Sequence, residues 1–472
     1  MKNRIAVLIT LMLGTAMAAL DSSIVNVSLP VIQKQFGASI NGIEWVILGY
    51  MISFCLFIPL TNWLKNRIGY YNLFIASVVI FTIGSLLCSL SGNLSFLIAA
   101  RILQAIGGGA ITPTSLAILT DSFPKEQRGS AIGWWGIGNV MGPAIGPTLG
   151  GVLTYYFEWP SIFYINIPIG IITIIMSVLF LGFLKKQPKL KPSFDLGGYV
   201  YFGIFIILLQ LSLTMISDPN IQPLQYGIGL ALSLVFLVFF IRSSKKDNPL
   251  IDLTVFKSAT FINCSIIILI RSLALYGGLF FLPFLLQGLM GYSEIETGLL
   301  LLPNALMMLL LRPYAGKLAD RGIIRNPSVV GIVMIAISMA EFAFMNSESH
   351  IWFIILAMAI RGFGMSLLVS PVSTSLLNAI SAGQTATATS INSLLQQVGG
   401  SVGIAISGIL HTYISKYYLQ LGRTTEIAEH FALQDGFLIS AVIIAFAIIP
   451  ALKLPNRNKI DKLAAVKLTS LR

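Results

Sequence analysis

Asp21 is the residue best suited to chemistry in this sequence, because it places a carboxyl group inside the long apolar run 5–32. Ionisable side chains in apolar segments of membrane length are costly, so each one is a candidate for function. Scarce water favours the protonated carboxyl, whereas a nearby cation favours the ionised form. A group held between these influences can take up a proton on one side of a membrane and release it on the other. The alternative role for Asp21 is a structural hydrogen bond to a neighbouring helix.

Arg101 is the strongest candidate for that cation. It opens the segment RILQAIGGGAITPTS, in which Gln104 follows one helical turn later. We expect Arg101 to bind acceptors near the proton pathway and to tune the charge state of Asp21. A purely structural clamp between helices is nearly as good an explanation of a buried arginine.

Five further charged residues fall in or beside apolar runs. Glu44 and Glu341 could attract a cationic substrate, although Glu44 can equally be solvated and Glu341 can equally snorkel or pair with an arginine. Arg271 and Arg361 have no evident partner in the sequence and, facing a cavity, would favour an anionic or amphiphilic substrate. Arg312 lies close enough to the end of its apolar run to snorkel toward water.

The segment GIGNVMGPAIGPTLGG carries glycine at every fourth position and two Gly-Pro steps. Small residues at that spacing share one helix face and let two helix backbones approach closely. The prolines remove backbone donors and predict a bent helix. The residues concerned are Gly138, Gly142, Pro143, Gly146, Pro147 and Gly150.

The composition indicates whether these residues lie in water or in lipid. Of the 472 residues, 56% are hydrophobic and only 10% are charged. A water-soluble domain carries about 25% charged residues, so we expect this chain to lie in lipid. The sequence contains no nucleotide-binding loop of the form GxxxxGK[ST], no nucleophile elbow and no zinc motif. The cysteines and histidines are too scattered for a metal site. We therefore expect a transporter, with no enzymatic activity, cofactor or metal, that draws its energy from an ion gradient.

Apolar runs separated by short polar segments predict an all-α membrane protein with fourteen transmembrane helices. The predicted spans are 5–32, 43–63, 71–90, 95–119, 129–156, 161–184, 195–216, 223–243, 259–287, 295–317, 327–346, 351–377, 389–415 and 435–453. They are grouped as an N-terminal six-helix bundle (1–190), two inserted helices with a linker (191–257), and a C-terminal six-helix bundle with a tail (258–472).

The distribution of positive charge supports this count and sets the orientation. With both termini in the cytoplasm, nearly every lysine and arginine outside the spans falls in a cytoplasmic segment, and only Lys34, Lys416 and Arg423 fall outside the cell. This excess is the usual signature of cytoplasmic loops. The net charge of +12 is thereby explained by topology, and no nucleic-acid partner is expected.

The two halves of the sequence repeat one pattern. Proline precedes arginine by eight residues at Pro59–Arg67 and again at Pro313–Arg321, and Arg101 and Arg361 are each followed by glycines and a proline. Two like-oriented halves are typical of transporters. In these repeats Arg67 and Gly69 open one short loop, and Asp320 and Arg321 open its counterpart. Such charges can lock cytoplasmic helix ends in one conformation, or they can simply anchor the topology.

At these motifs the sequence resembles the major facilitator superfamily, specifically its fourteen-span drug:proton antiporter branch. The matching segments are LDSSIVNVSLP (20–30), LTNWLKNRIG (60–69), RILQAIGGG (101–109), GNVMGPAIGPTLGG (138–151) and FYINIPIG (163–170). The loop motif departs from the family pattern at Asn62 and Asn66, whereas Gly316 and Asp320 keep the pattern in the second half. Ala105 replaces a usual glycine.

The resemblance implies two bundles of six helices that work by alternating access. It further implies multidrug efflux, and hence antibiotic resistance, by export of lipophilic, cationic compounds in exchange for protons. Asp21 would be the protonation site, Arg101 its assistant and Asn26 a polar position of the same motif. The partners would be a small lipophilic molecule, protons and the lipid of a bacterial cytoplasmic membrane, with the protein acting as a monomer. A rival expectation is the same mechanism dedicated to one native lipid, fatty acid or metabolite.

Overall fold

Long apolar stretches with few interruptions make the described chain almost entirely helical. The computed structural model describes residues 4–38, 40–186, 193–216, 221–246 and 249–455, and it contains no β-strand within those ranges. The predicted all-α class is confirmed there. The helices of the first half are α1 (Arg4–Phe36), α2 (Ile40–Phe57), α3 (Leu60–Ser89), α4 (Leu94–Ser122), α5 (Arg128–Phe157), α6 (Ser161–Tyr164), α7 (Asn166–Phe180), α8 (Leu196–Ile216) and α9 (Pro223–Ser243). Those of the second half are α10 (Ala259–Pro283), α11 (Glu294–Asp320), α12 (Arg325–Ala343), α13 (Ile351–Asn378), α14 (Thr385–Gln420), α15 (Thr425–Ala445) and α16 (Ile448–Leu452).

Several helices begin at residues whose side chains satisfy free backbone amides. The Ser258 hydroxyl accepts a hydrogen bond from an amide in the first turn of α10, and the Thr424 hydroxyl does the same for α15. Ser293 and Glu296 form a capping box at the start of α11. These residues therefore end the connecting segments and fix where each helix starts.

Twelve helices in the described residues are long and apolar enough to cross a membrane. The fourteen spans predicted from the sequence include two more, at 43–63 and 129–156. Both regions are helical, but the described apolar part of the first, Trp45–Phe57, is shorter than a full span. The second is α5, whose many glycines contribute little to hydropathy.

The predicted loop at 60–69 is mostly helical. Leu60 to Ile68 lie in α3, and Gly69 alone leaves the helical conformation, with φ +81° and ψ 161°. A residue with a Cβ atom rarely adopts such a φ, and this explains the glycine. In the second half, Gly322 follows the end of α11 with φ +73°. A left-handed glycine thus closes both copies of the repeated motif.

The chain divides into two compact units. The first comprises Met1–Ser122, Ile137–Thr254 and Ala382–Leu394, and it includes α8 and α9, which pack on each other while α8 also packs on α2. The second comprises Phe123–Gly136, Val255–Ser381 and Leu395–Arg472. Each unit therefore includes a short segment from the other half of the sequence, namely the start of α14 in the first unit and the start of α5 in the second.

The core of the first unit surrounds one stretch of α1. Leu20 and Ile24, on either side of Asp21, belong to an apolar cluster with residues of α2, α4 and the α6 region. Its largest member is Trp159, which is almost completely buried. Apolar side chains therefore shield this part of α1 from water, and polar groups there interact strongly with one another.

Candidate functional site

Two glycines of the first unit bring α3 and α4 into backbone contact. A Cβ atom on Gly84 would lie 2.6 Å from the Cα of Gln104, and one on Gly107 would lie 2.5 Å from the backbone nitrogen of Phe81. Only residues without a side chain allow this approach. It places Ser85 of α3 next to Gln104 of α4.

Asp21 is the centre of a buried polar network. Its carboxylate is 0% exposed, and its Oδ2 accepts a 2.6 Å hydrogen bond from Nη1 of Arg101, which is 2% exposed. Its Oδ1 accepts from Nε2 of Gln104 at 2.7 Å and from Nδ2 of Asn166 at 2.9 Å. Four helices therefore meet at this carboxylate: α1, α4, α7 and, through Ser85, α3.

The donors are themselves connected. Arg101 Nη1 also donates to Oε1 of Gln104 at 2.5 Å. The Ser85 hydroxyl accepts from Gln104 at 2.6 Å and from Asn166 at 3.2 Å. Because Gln104 contacts both members of the ion pair, it fixes the distance between them.

The guanidinium of Arg101 also rests on aromatic rings. It lies 4.0 Å from the ring centroid of Tyr50 and 5.7 Å from that of Phe163, and its Nε donates to the Val46 carbonyl at 3.4 Å. Cation–π contacts stabilise a charge without supplying a counter-charge. Asp21 therefore supplies the negative charge that balances Arg101.

The glycine face of α5 packs against the same helix that carries Asp21. Cβ atoms on Gly138 and Gly150 would lie 2.8 Å from the Met12 carbonyl oxygen and 2.7 Å from the Ile24 carbonyl oxygen, respectively. Gly142 meets the Ala19 carbonyl, and Gly146 meets the Ser23 hydroxyl. The side chains of Pro143 and Pro147 lie outside the described part of the structure. The four glycines thus form a groove along α1.

Ser23 adds a direct link in this groove. Its hydroxyl donates a 2.7 Å hydrogen bond to the backbone carbonyl of Gly142. The segment of α1 on both sides of Asp21 is therefore held by α5.

A second arrangement lies in the second unit, where α11 ends against the start of α5. The Asp320 carboxylate accepts hydrogen bonds from the backbone amides of Gly129 at 2.6 Å and Ser130 at 2.9 Å. Gly316 contacts Gly129 so closely that neither position has room for a Cβ atom. A carboxylate at the N-terminus of a helix is stabilised by free amides and by the helix dipole.

The arginines of the repeated motif make no such contact. Arg67 is exposed, and its guanidinium lies 5.1 Å from the Trp63 ring centroid. Arg321 is also exposed. In the described second unit the charged contact predicted for this motif is made by Asp320.

The remaining predicted residues do not join the Asp21 network. Arg271 and Arg361 are buried in the second unit, and Glu341 is partly buried there with no partner for its Oε2. The prediction that Arg312 snorkels is wrong, because its guanidinium is buried and donates to the Gly136 carbonyl. The side chains of Asn26 and Glu44 lie outside the described part.

Tyr50, Ser85 and Asn166 belong to the network and were not predicted from the sequence, and the same holds for Phe163, whose ring also lies near Arg101. Asn166 stands inside the segment FYINIPIG, which resembles a family motif as a whole. A buried asparagine in an apolar span needs hydrogen-bond partners, so it was the one detectable signal. Ser85 and Tyr50 belong to residue types that are frequent in membrane helices and gave no such signal.

The comparison with known families decides the identity of the fold. The family model described as Major Facilitator Superfamily matches residues 11–404. The chain belongs to this superfamily. It is therefore a multi-pass membrane transporter of the major facilitator type.

Named relatives of this major facilitator protein differ in substrate. It is 32% identical to the uncharacterized MFS-type transporter YhcA of Bacillus subtilis, over 91% of this chain and 80% of the relative. It is 33% identical to the riboflavin transporter RibZ of Clostridioides difficile, over 80% and 81%. It is 31% identical to a multidrug resistance protein B homolog of Mycobacterium tuberculosis, over 85% and 75%.

A solved structure shares the major facilitator fold. The human organic anion transporter MFSD10 (TETRAN) matches with a TM-score of 0.66, over 95% of this chain and 99% of that one, at 13% sequence identity. At this identity the match concerns the fold alone.

Proposed function

We propose that this major facilitator protein is a proton-coupled antiporter of the drug:proton branch, which exports lipophilic compounds by alternating access. Relatives at 29–31% identity that are named multidrug resistance proteins support drug efflux. The buried Asp21 network supports the choice of the proton as the coupling ion. The proton gradient then supplies the energy, with no cofactor.

The observation that carries the proposal is the balance of charge at Asp21. The carboxylate is fully buried, and the Arg101 guanidinium is its ion-pair partner. A proton on Asp21 cancels the charge that holds Arg101 in place. Proton uptake therefore changes the stability of the contact between α1 and α4, and a conformational change can follow from it.

The packing of α5 on α1 links this event to the rest of the first unit. Gly142 and Gly146 contact α1 beside Asp21, and the Ser23 hydroxyl bonds to the Gly142 carbonyl. Interfaces of this tightness switch between discrete arrangements more readily than they deform. We propose that α1 and α5 move together when the proton binds.

The deciding experiment replaces Asp21 by asparagine, which keeps the shape and removes the titratable group. Inside-out vesicles with an imposed pH gradient should accumulate a fluorescent efflux substrate with the wild-type protein and not with Asp21→Asn at equal membrane expression. Glu348→Gln, which neutralises an exposed carboxylate, should transport like the wild type. Undiminished gradient-driven efflux by Asp21→Asn would refute the role of Asp21.

We also propose fourteen transmembrane spans with both termini in the cytoplasm. The twelve candidate spans leave α2 and α5 to be added, and both are needed for the charge pattern to alternate correctly along the chain. Cysteine labelling from each side of a bacterial cytoplasmic membrane at Lys34 and Lys245 tests this orientation. Lys34 should label from outside and Lys245 only after permeabilisation.

The charge of the cargo is a separate part of the proposal. A cationic cargo is the expectation from Glu44 and Glu341. Of these two side chains the structure describes Glu341, whose Oε2 is buried without a partner and could therefore bind a cation. Glu341→Gln should then weaken efflux of a cationic dye and leave efflux of a neutral one unchanged. The protein is proposed to act as a monomer surrounded by lipid.

A second candidate is the same mechanism dedicated to one native lipid, fatty acid or metabolite. The relative named as a riboflavin transporter, at 33% identity, favours this possibility. The two candidates differ in breadth. Competition by several chemically unrelated dyes in proteoliposomes supports multidrug export, whereas transport that only close analogues inhibit supports a dedicated carrier.

A further inference from the structure

The second unit contains three buried arginines on three different helices. Arg271 of α10 is 6% exposed, Arg312 of α11 is 5% exposed and Arg361 of α13 is 4% exposed. Arginine side chains are rarely buried to this degree unless a counter-charge accompanies them. In the first unit such a counter-charge is present, since Asp21 forms an ion pair with the buried Arg101.

The hydrogen bonds of the three guanidinium groups are few and go to neutral acceptors. Arg361 Nη2 donates to the Leu275 carbonyl at 3.3 Å. Arg271 Nη2 donates to the Ser272 hydroxyl at 3.4 Å, and its Nε has no partner. Arg312 donates to the Gly136 carbonyl, and its Nε also has no partner. Each guanidinium offers five N–H donors, so most of this capacity is unused.

The three charges lie in one region of the second unit. The acceptor of Arg361 is Leu275, one helical turn beyond Arg271 on α10. α13 packs on both α10 and α11. Three like charges in a buried site attract an anion strongly, because the local dielectric constant is low.

The internal repeat shows what the second unit lacks. Arg101 and Arg361 occupy corresponding places in the two halves, each ahead of glycines and a proline. In the first unit the facing helix α1 supplies the Asp21 carboxylate to Arg101. In the second unit the facing helix α10 supplies the neutral Leu275 carbonyl to Arg361. The arginine is repeated, and the acid is not.

An anion from outside the chain would complete this arrangement. The planar guanidinium binds two oxygens of a carboxylate or phosphate at once and is the side chain best suited to them. A buried cation without a counter-charge is strongly unfavourable, so the unused donors favour a ligand that brings oxygen atoms and negative charge.

We infer that Arg271, Arg312 and Arg361 form a binding site for the anionic group of an amphiphilic cargo, a carboxylate or a phosphate. The inference rests on the proposed function in that the ligand is the compound to be exported. It assigns the proton to the first unit and the charge recognition of the cargo to the second.

Equilibrium binding to the purified full-length protein tests the site without any transport. The probes are dodecanoate and dodecyltrimethylammonium, which share an alkyl chain and carry opposite charges. In phosphatidylcholine nanodiscs dodecanoate should bind the wild-type protein, and dodecyltrimethylammonium should bind at least tenfold more weakly. Arg271→Gln and Arg361→Gln should each weaken dodecanoate binding at least tenfold. Arg271→Lys should lose less, because the charge remains.

Arg423→Gln is the matched control, since it removes an exposed arginine of the same unit, and it should bind dodecanoate like the wild type. Unchanged dodecanoate binding in folded Arg271→Gln and Arg361→Gln, or equal binding of the two probes, would overturn the inference. Arg271→Lys keeps the test valid even where a glutamine variant fails to fold.

Two further measurements are needed. One distinguishes a cargo anion from a lipid headgroup, and the other distinguishes failure of the anion site from failure of the proposed proton coupling. Phosphatidylglycerol in the nanodisc should leave dodecanoate binding intact if the site accepts cargo. Loss of dodecanoate binding in the presence of this lipid would make a lipid headgroup the occupant and overturn the assignment to cargo. Asp21→Asn should still bind dodecanoate while it no longer transports. If Asp21→Asn transports, the proposed proton coupling fails and the anion site is unaffected.

Discussion

The Arg101 guanidinium and the Asp21 carboxylate are separated by 2.6 Å and are both almost completely excluded from solvent. The Gln104 side chain forms a hydrogen bond with each partner, so it stabilises the ion pair in addition to the direct contact between α1 and α4. A buried ion pair of this kind contributes little stability by itself, but the loss of one partner leaves an uncompensated charge. The pair is therefore better suited to a switch than to a structural clamp.

The first prediction concerns the stability of this pair. Arg101→Gln should lower the free energy of unfolding by about 3–5 kcal/mol, because it leaves Asp21 buried without its counter-charge. Asp21→Asn should have a similar effect through the unpaired Arg101. In the double variant Asp21→Asn/Arg101→Gln both charges are gone, and most of the lost stability should return. Thermal unfolding in detergent measures all three variants.

A double-mutant cycle interprets these values. Strong recovery in the double variant shows that the cost of each single change comes from the partner left behind. Additive losses would instead show that Asp21 and Arg101 act independently, and the switch at Asp21 would lose its structural basis.

The second prediction concerns the glycine groove of α5. A methyl group at Gly142 would overlap the Ala19 carbonyl of α1, so Gly142→Ala should separate the helices or strain them, at about 1–3 kcal/mol. We expect a lower unfolding temperature and a loss of transport. Gly227→Ala is the matched control, because nothing lies within 4 Å of that position in α9, and it should be neutral or slightly stabilising. A Gly142→Ala protein as active and stable as Gly227→Ala would contradict the proposed role of the groove.

Much of the helical order and of the Asp21 network followed from the sequence. Long apolar runs placed the helices, and the rarity of charge in such runs selected Asp21 and Arg101 and, one turn later, Gln104. The residues that neighbouring helices contribute to the Asp21 network could not be predicted in the same way. Asn166 reaches Asp21 because α7 packs beside α1, and Ser85 reaches Gln104 because α3 packs beside α4. A single sequence does not state which helices are neighbours.

Arg312 shows a second limit of sequence reasoning. Its position near the end of α11 predicted a side chain that extends toward water. The close approach of α5 instead covers it, since Gly133 and Gly136 leave room for the backbone and the guanidinium of Arg312. Whether a long side chain snorkels thus depends on the helix packed above it, which the hydropathy pattern of α11 does not contain.

The third prediction concerns the contact between α11 and the start of α5. Asp320→Ala removes the acceptor of two backbone amides, those of Gly129 and Ser130. Hydrogen bonds to a charged group contribute about 1.5–3 kcal/mol each, and water can replace part of that at this half-buried position. We expect a measurable fall in unfolding temperature and a lower transport rate.

Glu126→Gln is the control for Asp320→Ala. It removes an exposed acidic charge just ahead of the same helix, and surface changes of this kind usually alter stability by about 0.5 kcal/mol or less. A transport rate that falls equally in both variants would show that the local charge matters and the hydrogen bonds of Asp320 do not.

The fourth prediction follows from joining an anionic cargo to a proton. If one proton enters for each monovalent anion exported, two positive charges move inward per cycle, whereas exchange of a proton for a monovalent cation moves none. A membrane potential contributes about 2.3 kcal/mol per charge at 100 mV, so the anion cycle gains about 4.6 kcal/mol, or about three orders of magnitude in the equilibrium gradient.

Inside-out vesicles with a potassium gradient and valinomycin measure this directly. At a fixed pH gradient, accumulation of a lipophilic carboxylate should rise steeply when the vesicle lumen is made electrically positive. The lumen corresponds to the outside of the cell, so this potential drives positive charge toward the cytoplasmic face. A cationic compound exchanged one for one should not respond, since its cycle carries no net charge. Accumulation of the carboxylate that is independent of the potential would rule out an anion exchanged for a proton. It would require a different coupling ion, because even the neutral, protonated acid exchanged for a proton moves one positive charge inward.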